Sequence, residues 1–425
     1  MERTVQESWT DRSKMTYGRG MSVVDDAPAA ASRRAKPGFW LVAAVYVLAM
    51  LGGTLPVPLY VFWAPRMGFG PFTTTLIFAI YALGVVASLL LFASLSDRSG
   101  RRPLLLASLV VLAASTVCFL VARDVGLLLL ARFLCGLATG VTTATATAAL
   151  EELAGPGGGR RASMTAAGAN LGGLGLGTVI AGLFAQFLPS PTHLVFWCYL
   201  AALVPAVVAI VVTPETVRSP RRPVLAVRRP TLPVDRAARG QFLSAAVAVF
   251  AAFAVNGLFS SLVPGFLHDA LQVRSVAAVG AEVGLLFAVA LVAQLAAPGR
   301  WLDSPVIGPV FLIIGVAVFE SGLWTRSLPA FVTGTVFAGI GAGVTFRRGV
   351  AVTARLAAPD RRADLFASYF LAAYAGTIGP TLALGLLDQV INQNVATLLL
   401  AVGIGAIALA TTLTRSTAAD RTAVA

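Results

Sequence analysis

Three ionisable side chains stand inside otherwise uncharged apolar runs: Arg132, Glu282 and Glu320. A charge in an apolar medium is expensive, so each of them calls for a partner or a function. A buried carboxylate that takes and releases a proton can couple a proton gradient to other work, which makes Glu282 and Glu320 candidates for that task. Glu282 lies inside its run and Glu320 near the end of the next. Glu282 could equally be a structural carboxylate bonded to a neighbouring helix, and Glu320 could merely reach the interface. Arg132 sits roughly 9 Å into its run at 1.5 Å per residue. It could pair with a functional group, or it could snorkel to the nearer headgroups.

Other chemistries lack their residues. The two histidines, His193 and His268, fall at ends of apolar runs, and Cys118, Cys135 and Cys198 fall inside them, where they read as small apolar residues. There is neither a metal-spaced cluster of Cys, His, Asp and Glu nor a phosphate-cradling Gly-Lys loop. No metal and no cofactor are expected. An integral membrane enzyme and an ATP-driven pump are disfavoured for the same reason.

The elements that carry these groups are apolar helices. Hydrophobic residues make up 57 % of the chain and charged residues 12 %, against about 25 % charged in a soluble domain. A bilayer core needs roughly 20 apolar residues per helix. Twelve windows qualify: 39–63, 72–95, 103–122, 125–150, 162–188, 192–213, 242–267, 275–297, 305–325, 327–346, 365–387 and 395–414, nine of them without a charged residue. The expected fold is an all-α membrane protein. Residues 1–38 and 415–425 are expected to be tails, the first of them disordered. The net charge of +13 could point to nucleic acid, but its distribution points to a membrane. The alternate loops that include both termini hold 27 of the 32 Lys and Arg residues; the opposite loops hold 4, and Arg132 is the last. This asymmetry predicts cytoplasmic termini in a plasma membrane, contact with anionic lipid and no nucleic-acid partner.

The longest polar interruption, 214–241, holds seven Arg and five Pro and divides the windows into six and six, 39–213 and 242–414. The halves look duplicated. Ala93 to Asp97 is echoed by Gly299 to Asp303 at an offset of 206, and Arg160-Arg161-Ala162 by Arg361-Arg362-Ala363 at an offset of 201. Such repeats are a mark of transporters that rock two halves about a central site.

The most specific signal is the second loop. Leu95, Asp97, Arg98, Gly100, Arg101 and Arg102 fit a Gly-x-Leu-x-Asp-Arg-x-Gly-Arg-Arg pattern, with Ala93 in place of the leading Gly. Gly100 permits a tight turn, Pro103 suits the first turn of a helix, and Asp97 can cap one. This string resembles the loop between helices two and three of the major facilitator superfamily, and the chain as a whole resembles its twelve-helix drug:proton antiporter branch. The resemblance implies two pseudo-symmetric six-helix bundles. It implies that Asp97 contacts the start of helix eleven and latches the outward-facing state. It also implies that helices seven, eight, ten and eleven line the cavity, which favours Glu282 over Glu320 as proton carrier. Arg132 with Gly136 resembles the Arg-x-x-x-Gly pattern of proton-coupled members.

In the fifth window, Gly173, Gly177 and Gly182 resemble the exporters' glycine pattern, with Thr178 where Pro and Ala181 where Gly is usual. Small residues four apart also allow plain close packing. Tyr46, Tyr60, Asn170, Asn256, Gln294, Tyr369 and Tyr374 are the polar and aromatic candidates for a cavity that is otherwise apolar, which suits lipophilic or amphiphilic solutes better than sugars or organic anions. The reading is a monomeric secondary transporter that exports drugs or hydrophobic metabolites in exchange for protons. A proton symporter for nutrient uptake is the alternative.

Overall fold

The computed structural model describes residues 27–91, 99–217, 231–233, 235–269, 275–296, 304–358 and 361–423. Among them the regular structure is helical, and twelve helical segments are long and apolar enough to cross a membrane. The first span is a compound one. Helix α1, Ala27–Thr54, passes through a 3-10 turn, Val57–Leu59, into a short helix, Tyr60–Met67. Pro56 and Pro58 cause the break, because proline offers no amide hydrogen to the preceding turn. α1 also begins well ahead of its apolar window, within the stretch expected to be a disordered tail; Ala27, Ala29, Ala30 and Ala31 favour a helix there.

The remaining spans are single helices. They are α2 Pro71–Leu91, α3 Arg101–Leu120, α4 Val125–Ala154, α5 Gly159–Phe187, α6 Pro191–Val212, α7 Arg236–Asp269, α8 Val276–Leu295, α9 Ile307–Thr325, α10 Leu328–Leu356, α11 Arg362–Leu387 and α12 Gln393–Ala423. α12 likewise runs on past residue 414, where a tail was expected. Side-chain caps set several starts: Asp124 accepts from the Leu127 amide at 2.9 Å, and Ser275 from the Ala278 amide at 3.2 Å.

The starts of α3 and α5 and the ends of α4 and α10 share one end of the bundle, here the basic end. The starts of α4, α8 and α10 share the opposite, far end. The buried core falls into separate clusters, one built from residues between Phe39 and Ile210, the others from residues between Phe242 and Ala408. In the first half Trp63 of the short helix stacks on Phe119 at 5.8 Å and on Phe196 at 6.0 Å, pinning the broken span against α3 and α6. The halves meet where α5 packs on α8 and α2 on α11, with the 3-10 turn wedged against α7 and α8.

Candidate functional site

Arg132 is fully buried, which excludes snorkelling. The proline break explains how a cation is held there. The carbonyls in the last turn of α1 lose helical donors: Gly52 would receive its bond from Pro56. Side chains of α4 replace them. Arg132 Nη1 donates to the Gly53 carbonyl at 2.7 Å, and the Cys135 thiol donates to the Gly52 carbonyl at 3.6 Å. Three rings surround the guanidinium, with centroids 5.6 Å (Tyr60), 5.7 Å (Phe78) and 5.0 Å (Tyr81) from Cζ. Cation–π contacts contribute about 0.5–2 kcal/mol each and a charge-assisted hydrogen bond about 1.5–3 kcal/mol. Desolvating an unpaired ion costs several kcal/mol. The cage therefore offsets much of the cost while Nε and Nη2 make no hydrogen bond to a described residue.

The buried acids lie in the other half. Glu282 on α8 is 7 % exposed and accepts a hydrogen bond from the Thr335 hydroxyl of α10. Glu320 on α9 is 6 % exposed and accepts one from the Thr397 hydroxyl of α12 at 3.5 Å. Glu320 thus turns inward against α12 instead of reaching the interface. For each, that threonine is the one hydrogen-bond partner among the described residues.

The candidate solute contacts separate. Tyr46 is buried and its hydroxyl accepts from Asn170 Nδ2 at 3.0 Å, a bond that also sets Asn170 within 3.5 Å of Met50 Sδ. Tyr374 is half-buried and packs edge-on against Phe253 at 5.5 Å, and Phe253 meets Phe346 at 5.9 Å. Asn256 Oδ1 is buried without a hydrogen-bond partner among the described residues. Gln294 is half-buried near the basic end of α8. Tyr369 is fully buried, its hydroxyl donating to the Phe346 carbonyl at 3.3 Å, so it props α11 against α10. Tyr60 belongs to the Arg132 cage.

The three α5 glycines do not share a face. Gly173 and Gly177 abut α1 of their own half: a Cβ on Gly173 would lie 2.6 Å from Met50 Cβ, and one on Gly177 would collide with the Leu51 carbonyl. Gly182 faces α8, where its Cβ would lie 2.8 Å from the Val276 carbonyl. Helical geometry explains the split. Positions 173 and 177 are one turn apart, whereas 175, 178 and 182 follow the i, i+3, i+7 spacing of another stripe. Gly175, Thr178 and Gly182, with Val179 beside them, are therefore the α5 residues that meet Gly280 and Gly284 across the two halves.

At the basic end, Asp97 and Arg98 of the loop motif lie outside the described residues. Gly100 has φ 100°, a conformation that favours glycine. Arg101 and Arg102 open α3, and Glu215 caps it from beyond α6. Its carboxylate accepts from the Arg101 amide at 2.9 Å and the Arg102 amide at 3.0 Å. The Arg101 guanidinium pairs with Glu152 at the end of α4 at 2.8 Å, and the Thr216 hydroxyl donates to the same carboxylate. Sequence reasoning missed Glu152, Glu215 and Thr216. The signal available was an acid just beyond each of two apolar windows, facing a basic loop.

The chain matches the Major Facilitator Superfamily over residues 42–304. No curated protein matches it by sequence. Among solved structures, a bacterial homolog of the human lysosomal transporter Spinster, in an inward-facing and unoccupied conformation, is 16 % identical. The match covers 89 % of this chain and 94 % of that one at a TM-score of 0.63. The human organic anion transporter MFSD10 is 19 % identical, with 89 % and 99 % covered and a TM-score of 0.63. A POT family transporter in complex with 5-aminolevulinic acid is 14 % identical, with 90 % and 96 % covered and a TM-score of 0.71. At such identities the likeness shows a shared fold. With the family matched over more than half of its 425 residues and twelve spans in place, this multi-pass integral membrane protein belongs to the major facilitator superfamily of transporters.

Proposed function

We propose that the chain exports amphiphilic or hydrophobic small molecules in exchange for protons, by alternating access between its two halves. One observation carries the coupling: Glu282 is buried on a helix that forms the seam between the halves, and a single threonine hydroxyl holds it. With no cation pinning it among the described residues, such a carboxylate can gain or lose its proton when the rocking of the halves brings water to it. Glu320 is the second candidate carrier, and Arg132 supplies a fixed charge in the other half.

The half-buried aromatic group of Phe253, Phe346 and Tyr374 supports an apolar solute. The basic end is taken as cytoplasmic on the charge asymmetry of 27 to 4. With that orientation the contact of Gly385 on α11 with Phe72 and Thr75 on α2 closes the outer side. Asp97 and Arg98 are assigned to a latch with α11 that forms in the opposite state, as the loop motif implies.

Inverted membrane vesicles with an acidic lumen test this. An exporter loads solute into the vesicle while protons leave it. Solute leaving together with protons would make the protein a symporter.

A further inference from the structure

Three buried polar atoms gather at one place with no hydrogen-bond partner among the described residues: Arg132 Nε, Arg132 Nη2 and Tyr60 Oη. The arrangement is asymmetric in a telling way. Nη1 is used by the Gly53 carbonyl, so the unused pair, Nε and Nη2, is the side edge of the guanidinium, the two parallel donors that take a carboxylate bidentately. A guanidinium has no acceptor, and the tyrosine hydroxyl beside it can both accept and donate. What completes such a set is a small group that only accepts and carries negative charge.

The described residues of the first half do not supply one. Asp124 is engaged as the cap of α4 through the Leu127 amide. Glu151 and Glu152 lie at the opposite end of the same helix, roughly 28 Å along it from Arg132 at 1.5 Å per residue. Of the three rings, Tyr60 and Phe78 are buried, whereas Tyr81 is half-buried. Tyr81 stands on α2, the helix that packs against α11 of the other half, and its hydroxyl is 3.3 Å from Thr139 Oγ1. Tyr81 is thus the least buried wall of the cage, and it stands on a helix that meets the other half.

We propose that the Nε–Nη2 edge of Arg132, together with the Tyr60 hydroxyl, docks a small anionic group that enters from the cleft past Tyr81, either the carboxylate of an amphipathic cargo or a free halide. The proposal rests on the transporter reading only in taking the cleft as the solute's path. It departs from the expectation drawn from composition, which disfavoured organic anions, and gives the amphiphilic solute an anionic head.

The test uses the purified full-length protein in detergent, without any gradient. Radiolabelled 4-phenylbutyrate and, separately, radioactive chloride are assayed by equilibrium dialysis. Arg132→Gln should weaken binding of the occupant at least about tenfold, because it removes the charge and the fork. Tyr60→Phe keeps the ring and removes the hydroxyl; it should weaken binding about threefold to tenfold and serves if Arg132→Gln does not fold. Arg132-dependent binding of phenylbutyrate, not displaced by the neutral 4-phenylbutyramide, identifies a cargo carboxylate. Arg132-dependent binding of chloride alone identifies a halide. If neither probe binds, or if binding is unchanged in both variants, the site does not exist, whatever transport assays report. Intact Arg132-dependent binding in a protein that moves no solute would instead overturn the transporter reading.

Discussion

The Thr335 hydroxyl on α10 donates to the Glu282 carboxylate on α8, so the buried acid is tied to a helix of its own half, on the side of α8 away from Gly280 and Gly284, which meet α5.

Glu282→Gln keeps the shape and the acceptor for Thr335 but cannot titrate. The variant should lose gradient-driven accumulation and retain solute binding and downhill exchange. Proton-coupled uptake into reconstituted vesicles measures this. Coupling that survives would move the proton to Glu320.

Glu215→Ala should strip the acceptor from the amides that open α3, those of Arg101 and Arg102. Loss of a helix cap costs about 0.5–2 kcal/mol, so the unfolding temperature in detergent should fall, with Glu215→Gln falling less. An unchanged midpoint in the alanine variant would show that the cap carries no weight.

Gly177→Val and Gly182→Val should differ in kind. The first drives a branched side chain into the Leu51 carbonyl of the same half and should lower folded yield, measured by monodisperse protein after purification. The second pushes α5 from α8 and should open the far end, read as faster labelling of a cysteine placed at Val276. Equal behaviour of the two would contradict the separate faces of α5.

Topology follows from charge. Reporter fusions at Ala425 and within residues 214–241 should both report the cytoplasm. A signal from the opposite compartment at either place would reverse the orientation and with it the outer seal assigned to Gly385.

Hydropathy by itself determined the twelve spans, because an unsatisfied backbone in lipid admits only long apolar helices and each leaves a run of about twenty residues in the chain. It also marked Arg132, Glu282 and Glu320, since a charge in such a run stands out against everything around it. The partners of those charges were not legible. Gly53, 79 residues before Arg132, became its partner through the proline break that follows it, and a backbone carbonyl leaves no mark in residue type. Thr335 and Thr397 are ordinary threonines until α10 and α12 bring them against a carboxylate. The α5 glycines were visible as a small-residue stretch, but which of them faces α1 and which faces α8 depends on how the helix is rotated within the bundle. Only packing on both sides sets that rotation. Glu215 and Arg101 lie 114 residues apart, and it took the closure of six helices to bring a loop acid onto the first turn of α3.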